Sequence, residues 1–374
     1  MIYHIAHIDS PKAGVRVAGA PAGSKVTDNT EGWTMRLRLL TTMAAALGLG
    51  ASGAMAADLL DEIKDRGELS CGTMDYLAGV GFLDDNGNWS GFDVDFCKAA
   101  SAAIFGTPDK VKFVALTGTQ MFPSLSSGEI DILSRSVTET ISRDTTLGFT
   151  FIGPNMLTGQ GLMVHKSTGA TDYDQMDGAT ICVLAGTVTE RYLADYFTAN
   201  GMTFTPVAAE SGDQLFSMYF DNRCDAVTME PPYLAIRRQK MAATPEDHVI
   251  FNDVIAKSYE APLIREGSPR FHKLLQWMHY GMVTAEELGV TSENVDDMAA
   301  SSTDPRVQRL LGVDGNIGES MGVSNDWMVN VIKAVGNYGE FYDRNLGANS
   351  PLQVPRGLNA LVRDGGALTA PGWQ

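Results

Sequence analysis

The sequence predicts an α/β protein of two lobes, each with a mainly parallel sheet flanked by helices. Short apolar runs alternate with helical stretches over residues 69–134, and the same alternation restarts over residues 161–240. Such alternation is typical of parallel strands that are connected by helices. The extended stretch 249–264 then leads back, and the chain after Arg270 has a helical pattern. Two lobes joined by extended segments imply a cleft between them.

Length and composition limit the function classes. The 374 residues suffice for two or three domains, and a hydrophobic content of 44% is ordinary for a globular protein. A net charge of −17 argues against a general affinity for nucleic acid, which needs a basic surface. The sequence has no P-loop, no serine-hydrolase elbow and no H-E-x-x-H zinc motif. We therefore expect no nucleic-acid partner, no metal and no cofactor.

The N-terminal region has the layout of an export signal. A basic head at residues 35–38 precedes an apolar stretch at 39–53 and the small-x-small cleavage pattern Ala54-Met55-Ala56. The alternative is a membrane anchor, but the apolar core is short for a span. We expect residues 35–56 to be a signal peptide that is cleaved near Ala56. Residues 1–34 are then either a mistaken extension or an unstructured leader.

The four cysteines fit an oxidising compartment. Cys71 and Cys97 lie in the first half of the exported chain, and Cys182 and Cys224 lie in the second. Four cysteines allow three pairings, and pairing of nearest neighbours gives Cys71–Cys97 and Cys182–Cys224. The alternative is four buried thiols, because a free cysteine packs as a small apolar side chain.

The predicted elements follow this order. The first lobe has strands at 69–73, 111–116 and 130–134, with helices at 93–105 and 122–127 between them. The second lobe has strands at 161–165, 179–184, 203–207 and 225–229, with helices at 191–200 and 231–240. The C-terminal region is predicted to be helical at 271–285, 295–300, 305–311 and 325–344.

Two hydroxyl-rich stretches come directly after predicted strands. Residues 134–140 contain Ser, Thr and Arg135, with Arg143 close behind, and residues 186–189 open a helix. Open α/β sheets bind ligands at the carboxyl ends of their strands, and a helix start favours an anion. A guanidinium adds two donors in a planar fork. The alternative is a solvated loop in the first stretch and plain helix capping by threonine in the second.

Several motifs occur in the order found in a known family. They are Gly91-Phe92-Asp93-Val94-Asp95, Leu125-x-x-Gly128-Glu129-Ile130-Asp131, Ser136-x-Thr138-x-x-x-x-Arg143, Gly186-Thr187 and Asp225-Ala226-Val227. Together with Leu133-Ser134-Arg135 and Ala334-Val335-Gly336-Asn337-Tyr338-Gly339-Glu340, they resemble the periplasmic amino-acid-binding proteins of ABC uptake systems. The general L-amino-acid-binding branch is the most similar, and the resemblance covers the exported chain.

The resemblance implies a type II periplasmic binding protein with a helical C-terminal extension. Residues 57–160 and 260–374 would form the first lobe, and residues 161–259 the second. Such a protein works in the periplasm as a monomer, captures an amino acid or related α-carboxylate between its lobes, and delivers it to an inner-membrane ABC permease. It performs no chemistry. The alternative is a dehydratase-like enzyme on the same scaffold, with Glu230 as general acid or base.

The resemblance also implies roles for individual residues. Arg143 would bind the ligand α-carboxylate, and Ser136, Thr138 and Thr187 would complete the cradle. Glu230 would bind the α-ammonium group.

The sequence departs from the family pattern close to this expected site. Glu230 stands where the family usually has Asp, Val188 replaces a hydroxyl residue, and Tyr76 replaces a small one. Residues 119–123 lack the basic residue that is often present there. We leave Arg135 outside the expected ligand shell because it lies nearer the strand end.

Overall fold

A computed structural model of the chain describes residues 58–373. The predicted leader and signal peptide, residues 1–56, lie outside the described residues. The strands are β1 (Leu69–Thr73), β2 (Tyr76–Leu77), β3 (Gly81–Leu83), β4 (Trp89–Ser90), β5 (Val111–Ala115), β6 (Ile132–Leu133), β7 (Phe149–Phe151), β8 (Met156–His165), β9 (Ala179–Leu184), β10 (Phe204–Ala209), β11 (Ala226–Met229), β12 (His248–Ile250), β13 (Ala256–Glu260) and β14 (Leu263–Arg265).

The helices are α1 (Leu59–Arg66), α2 (Phe92–Phe105), α3 (Met121–Ser127), α4 (Ile141–Thr146), α5 (Thr189–Ala199), α6 (Gly212–Phe220), α7 (Pro231–Met241), α8 (Pro269–Leu288), α9 (Val295–Ser301), α10 (Pro305–Leu310), α11 (Ile317–Met321), α12 (Trp327–Val335) and α13 (Tyr338–Asn345). Within residues 58–373, none of them combines the length and the apolar character that a membrane crossing requires.

The strands form two lobes, each with a mixed sheet. The first sheet has the order β5-β1-β6-β14-β7, in which β5, β1 and β6 are parallel and β14 is antiparallel to both neighbours. The second has the order β10-β9-β11-β8-β12, in which β10, β9 and β11 are parallel and β8 is antiparallel. The α/β two-lobe prediction is confirmed. Each sheet is parallel where helices connect its strands, and antiparallel where strands pass between the lobes.

Two neighbouring strands connect the lobes. The chain leaves the first sheet after β7 through β8 and returns through β13 to β14. β8 and β13 pair in antiparallel register, from Met156 opposite Glu260 to Gln160 opposite Ala256. The C-terminal region holds this connection, because the Asn359 side chain accepts from the Leu157 N–H (2.7 Å) and donates to the Leu157 carbonyl (3.0 Å).

Helix α2 is the centre of the first lobe. It is buried along most of its length and packs against α12 and α13. The Phe92 ring lies 4.2 Å from that of Phe341, and Arg344 Nη2 pairs with Asp95 Oδ2 at 2.7 Å. These contacts fix the first turn of α2, which carries Asp93.

Both nearest-neighbour disulfides are present, and the alternative of four buried thiols is wrong. Cys71–Cys97 joins β1 to α2 with a Cα–Cα distance of 6.3 Å. Cys182–Cys224 joins β9 to the segment before β11 with a Cα–Cα distance of 5.7 Å. Each bridge therefore ties a strand of the sheet to a neighbouring segment of the same lobe.

The single helix predicted for residues 325–344 is wrong, because the structure has α12 and α13 there. Gly336, with φ 80°, ends α12 in a backbone conformation that favours glycine. Asn337 then starts α13 with a capping box, in which its side chain accepts from the Glu340 N–H and the Glu340 carboxylate accepts from the Asn337 N–H.

Candidate functional site

A cavity lies where the ends of β6, β9 and β11 meet. Its walls include all seven side chains that the sequence analysis proposed for a ligand site: Tyr76, Ser136, Thr138, Arg143, Thr187, Val188 and Glu230. The segments that follow parallel strands converge at one edge of a sheet, and here the edges of two sheets face each other. The structure thus brings together the predicted residues of both lobes.

Arg143 is positioned by α4. The Thr140 hydroxyl caps this helix by accepting from the Arg143 N–H at 3.4 Å. The buried guanidinium donates through Nη1 to the Thr138 carbonyl (2.7 Å) and lies over the Phe122 ring, with Cζ 5.1 Å from the centroid. Burial lowers the pKa of Arg143 to about 10, and the positive charge of Arg135 acts in the same direction. Arg143 is therefore a charged, desolvated donor at neutral pH.

Several hydrogen-bond donors around Arg143 have no acceptor in the described chain. Within residues 58–373 no carboxylate forms an ion pair with Arg143. The main-chain N–H groups of Thr138 and Val188 also have no acceptor in this part of the chain. A carboxylate in the cavity could accept bonds from the guanidinium fork and from main-chain N–H groups, which are strong donors to an anion.

The three predicted cradle hydroxyls already have partners in the protein. Ser136 Oγ donates to Asp93 Oδ2 at 3.0 Å, and Thr138 Oγ1 lies 2.8 Å from Ser258 Oγ. Thr187 Oγ1 donates to a main-chain carbonyl at 2.7 Å. These hydroxyls shape the cavity wall, so donors for a carboxylate come mainly from Arg143 and the main chain.

Asp93 fixes the loop that carries Ser136. It accepts from Ser134 Oγ (3.1 Å) and Ser136 Oγ (3.0 Å), and it is 3% exposed. Ser136 has φ 49°, in the left-handed region that residues with side chains rarely adopt. Burial raises the pKa of Asp93 to about 6, although both serine hydroxyls oppose this shift. The sequence signal for this role was an acid in the apolar first turn of a buried helix.

Glu230 occupies the opposite wall. It precedes α7, whose first two residues are Pro231 and Pro232, and prolines are well tolerated in a first helical turn. Its carboxylate makes no capping bond to the helix; Oε1 instead accepts from Ser258 Oγ at 3.3 Å. Burial raises the pKa of Glu230. The longer side chain of Glu thus remains directed to the cavity.

Glu260, on the connecting strand β13, is a second buried carboxyl near Glu230. Tyr233 donates its hydroxyl to Glu260 Oε2 at 2.8 Å, whereas Oε1 has no hydrogen-bond partner in the described chain. Burial raises the pKa of Glu260 well above its usual range, and the charges of Glu230 and Asp93 raise it further. Buried carboxyls without a basic partner favour a cation beside them. Sequence reasoning missed Glu260 because its neighbours are distant in the chain.

Tyr76 and Val188 close the cavity. The Tyr76 ring contacts Gly212 of the second lobe, and Arg237 Cζ lies 5.2 Å from the ring centroid. Arg237 Nη2 also donates to the Tyr76 carbonyl at 2.6 Å. Burial raises the pKa of Tyr76, so its hydroxyl stays neutral. Val188, just before α5, contributes an apolar side chain where a hydroxyl was expected.

The structure adds Arg135 to the cavity wall, although sequence reasoning left it outside the ligand shell. The available signal was a charged residue directly after the buried strand β6.

The expectation that the protein has no metal site stays a prediction. Within residues 58–373, His, Cys, Asp and Glu side chains form no group of three or more that could hold a metal ion.

Residues 69–295 match the family of bacterial extracellular solute-binding proteins, family 3. The chain is 43% identical to the general L-amino acid-binding periplasmic protein AapJ of Rhizobium johnstonii, over 90% of this chain and 99% of that protein. It is 42% identical to the glutamate/glutamine/aspartate/asparagine-binding protein BztA of Rhodobacter capsulatus, over 88% of this chain and 97% of that protein.

A solved structure has the same fold. It is an ABC transporter periplasmic binding protein from Brucella ovis with glutathione bound, and it is 43% identical to this chain. The two superpose with a TM-score of 0.81 over 85% of this chain and 100% of the other. The resemblance drawn from the sequence motifs is confirmed, and with it the type II fold.

Proposed function

The chain belongs to family 3 of the bacterial extracellular solute-binding proteins, and from that premise we propose that its cavity holds the two charged groups of an amino acid. The protein is a solute receptor of an ABC uptake system, because relatives that match along nearly their whole length are named as binding proteins and the similar solved structure is named as an ABC transporter periplasmic binding protein. One observation carries the proposal for the site. Arg143 is buried and has no carboxylate partner in the described chain, and it shares its cavity with the half-buried carboxylate of Glu230.

Charge complementarity supports a zwitterionic ligand. Buried charges are unfavourable unless they are paired. A ligand α-carboxylate would pair with the guanidinium of Arg143. It would also accept hydrogen bonds from the N–H groups of Thr138 and Val188. An α-ammonium that binds Glu230 pairs that carboxylate, and the unpartnered Oε1 of Glu260 lies nearby as a further acceptor. A neutral compound would leave both walls unpaired, so we expect it to bind far more weakly.

Delivery follows from the two-lobe architecture. In this proposal residues 57–160 and 260–374 form one lobe and residues 161–259 the other, and the lobes close around the ligand by bending at β8 and β13. The closed monomer then docks on an inner-membrane permease. The names of the relatives support the periplasm as the compartment, and the proposed export signal at residues 35–56 agrees with it.

Isothermal titration of ligand-stripped protein tests the site. The panel contains L-amino acids, glutathione, and for each amino acid its decarboxylated amine and its N-acetyl derivative. We expect binding only when both charged groups are present. Arg143→Ala should weaken binding of every α-carboxylate ligand by about 30- to 1,000-fold, because it removes one partner of a buried charge pair.

Arg223→Ala is the matched control, because Arg223 is an exposed arginine in the second lobe. It should leave affinity unchanged, and circular dichroism should show that both variants are folded. Undiminished affinity in Arg143→Ala would remove Arg143 from the site. Silence across the whole panel in the wild-type protein would reject the amino-acid ligand, and conversion of a bound compound into product would favour the enzyme alternative.

A further inference from the structure

Arg135 is a second buried guanidinium on the cavity wall, and the proposed zwitterion site leaves it without a function. The residue is 4% exposed. Its Nε donates to the Leu116 carbonyl at 2.8 Å, and Nη1 lies 3.9 Å from Met121 Sδ. The side chain is therefore held rigidly from behind while it lines the cavity.

Charge balance around Arg135 is incomplete. Its Nη2 atom makes no hydrogen bond within the described chain, and no carboxylate there forms an ion pair with it. Asp93 is near enough to feel its charge, but both Asp93 oxygens already accept serine hydroxyls. A buried cation without an anionic partner is unfavourable, so an anion in the cavity would stabilise this arrangement.

Arg135 and Arg143 offer two separate anion positions. Arg135 is tied to the carbonyl of Leu116, and Arg143 is tied to that of Thr138. The two guanidinium groups repel each other, and this repulsion contributes to the lowered pKa of Arg143. Two fixed cations of the same lobe, anchored at different points, match a ligand with two anionic groups better than a ligand with one.

We propose that Arg135 binds a second carboxylate, carried by the ligand side chain, so that the site prefers α-amino acids with an anionic side chain over their neutral amides. This inference rests on the proposed function, because it takes the α-carboxylate to be bound by Arg143. It adds a specificity-determining residue and assigns the preferred ligand to the acidic α-amino acids.

The test compares ligands that differ only in the charge of the side chain. Affinities for L-glutamate and L-glutamine, and for L-aspartate and L-asparagine, are measured by isothermal titration at constant ionic strength. We expect wild-type protein to prefer each acid by at least about 10-fold, the value of a hydrogen bond to a charged group. In Arg135→Gln the affinity for the acids should fall by about 10- to 100-fold, while the affinity for the amides changes by less than about 3-fold.

Amide binding also shows that Arg135→Gln is folded with an intact α-amino-acid site. Arg135→Lys keeps the charge without the planar fork and should retain part of the preference. Arg223→Gln, the exposed control, should change nothing.

An equal loss of affinity for acids and amides would overturn the inference, because Arg135 would then support the fold or share the α-carboxylate. Wild-type binding without a preference for acids would overturn it as well, with the proposed function left standing. If wild-type protein bound none of the panel of amino acids, the proposed function itself would fail, and the inference with it.

Discussion

The ring of Tyr76, in the first lobe, lies directly against Gly212 at the start of α6 in the second lobe. A β carbon at Gly212 would overlap the ring. The glycine is buried, and the same tyrosine lies under the guanidinium of Arg237. The two lobes can therefore approach each other this closely at Tyr76 only because residue 212 is a glycine.

A second contact between the lobes has the same character. Gly118, in the first lobe, and Gly186, in the second, meet so closely that a β carbon on either would strike the main chain of the other lobe. Gly186 also has φ 75°, where a side chain adds strain. Both contacts exist only when the lobes are together. These two contacts therefore act on closure, whereas the positive φ of Gly186 also affects the second lobe by itself.

Gly212→Ala should weaken ligand binding without unfolding the protein. The added methyl group opposes closure, and overpacking of about 1–3 kcal/mol corresponds to about a 5- to 100-fold loss of affinity. The ligand-free melting temperature should hold or rise slightly, since alanine is a better helix former than glycine. Isothermal titration and thermal unfolding without ligand measure the two effects.

The double variant Tyr76→Ala/Gly212→Ala is the control for this prediction. With the ring removed, the alanine has room, so adding Gly212→Ala to Tyr76→Ala should change affinity by less than about 3-fold. If Gly212→Ala caused as large a loss of affinity in the Tyr76→Ala background as in the wild-type protein, Gly212 would act through α6 and not through its contact with Tyr76.

Asp93 should make ligand-free stability fall with rising pH. Its folded-state pKa of about 6 lies above its ordinary value of 3.8, because burial disfavours the carboxylate. The folded state therefore binds this proton more tightly than the unfolded state does. The stabilisation that the bound proton provides is lost as the pH rises from about 4 to about 6. The loss amounts to at most about 3 kcal/mol. Urea unfolding at several pH values should show a shallower decline in Asp93→Asn than in the wild-type protein.

Asp85→Asn, at an exposed turn, serves as the control for this titration. It should follow the wild-type profile at every pH. Identical profiles for Asp93→Asn and the wild-type protein would mean that the two serine hydroxyls fully offset the effect of burial on Asp93.

Features that depend on strand direction were the most predictable from the sequence. Ser136, Thr187 and Glu230 each come just after a strand, and parallel strands bring their ends to one edge whatever the side chains between them. The nearest-neighbour disulfides were also predictable, because each lies within one lobe. The break at Gly336 was missed, since the apolar helical pattern continues on both sides of the glycine.

Contacts between segments that are distant in the chain could not be predicted from the sequence. Asp93 meets Ser136 across 43 positions, and Ser258 meets Thr138 across 120. No periodicity connects such residues; only the assembled lobes do. Arg135 was missed for a different reason. Its place near the strand end suggested a position outside the ligand shell, but its side chain bonds to the Leu116 carbonyl and lines the cavity.

Glu230→Gln should stabilise the ligand-free protein and weaken ligand binding. The pKa of Glu230 is raised by burial, so the carboxylate destabilises the ligand-free fold at a pH above its folded-state value. Glutamine removes that charge and should raise the urea midpoint of ligand-free protein at pH 8. It should also weaken binding of α-ammonium ligands by about 10- to 100-fold, through loss of the charged acceptor.

Glu230→Asp separates charge from reach, since it keeps a carboxylate on a side chain one methylene shorter. It should retain more affinity than Glu230→Gln and gain less stability. N-acetylated amino acids, which lack the ammonium group, should be indifferent to either change. Equal affinity for free amino acids in Glu230→Gln and wild-type protein would move the ammonium position to Glu260, and Glu260→Gln would then have to show the loss expected here.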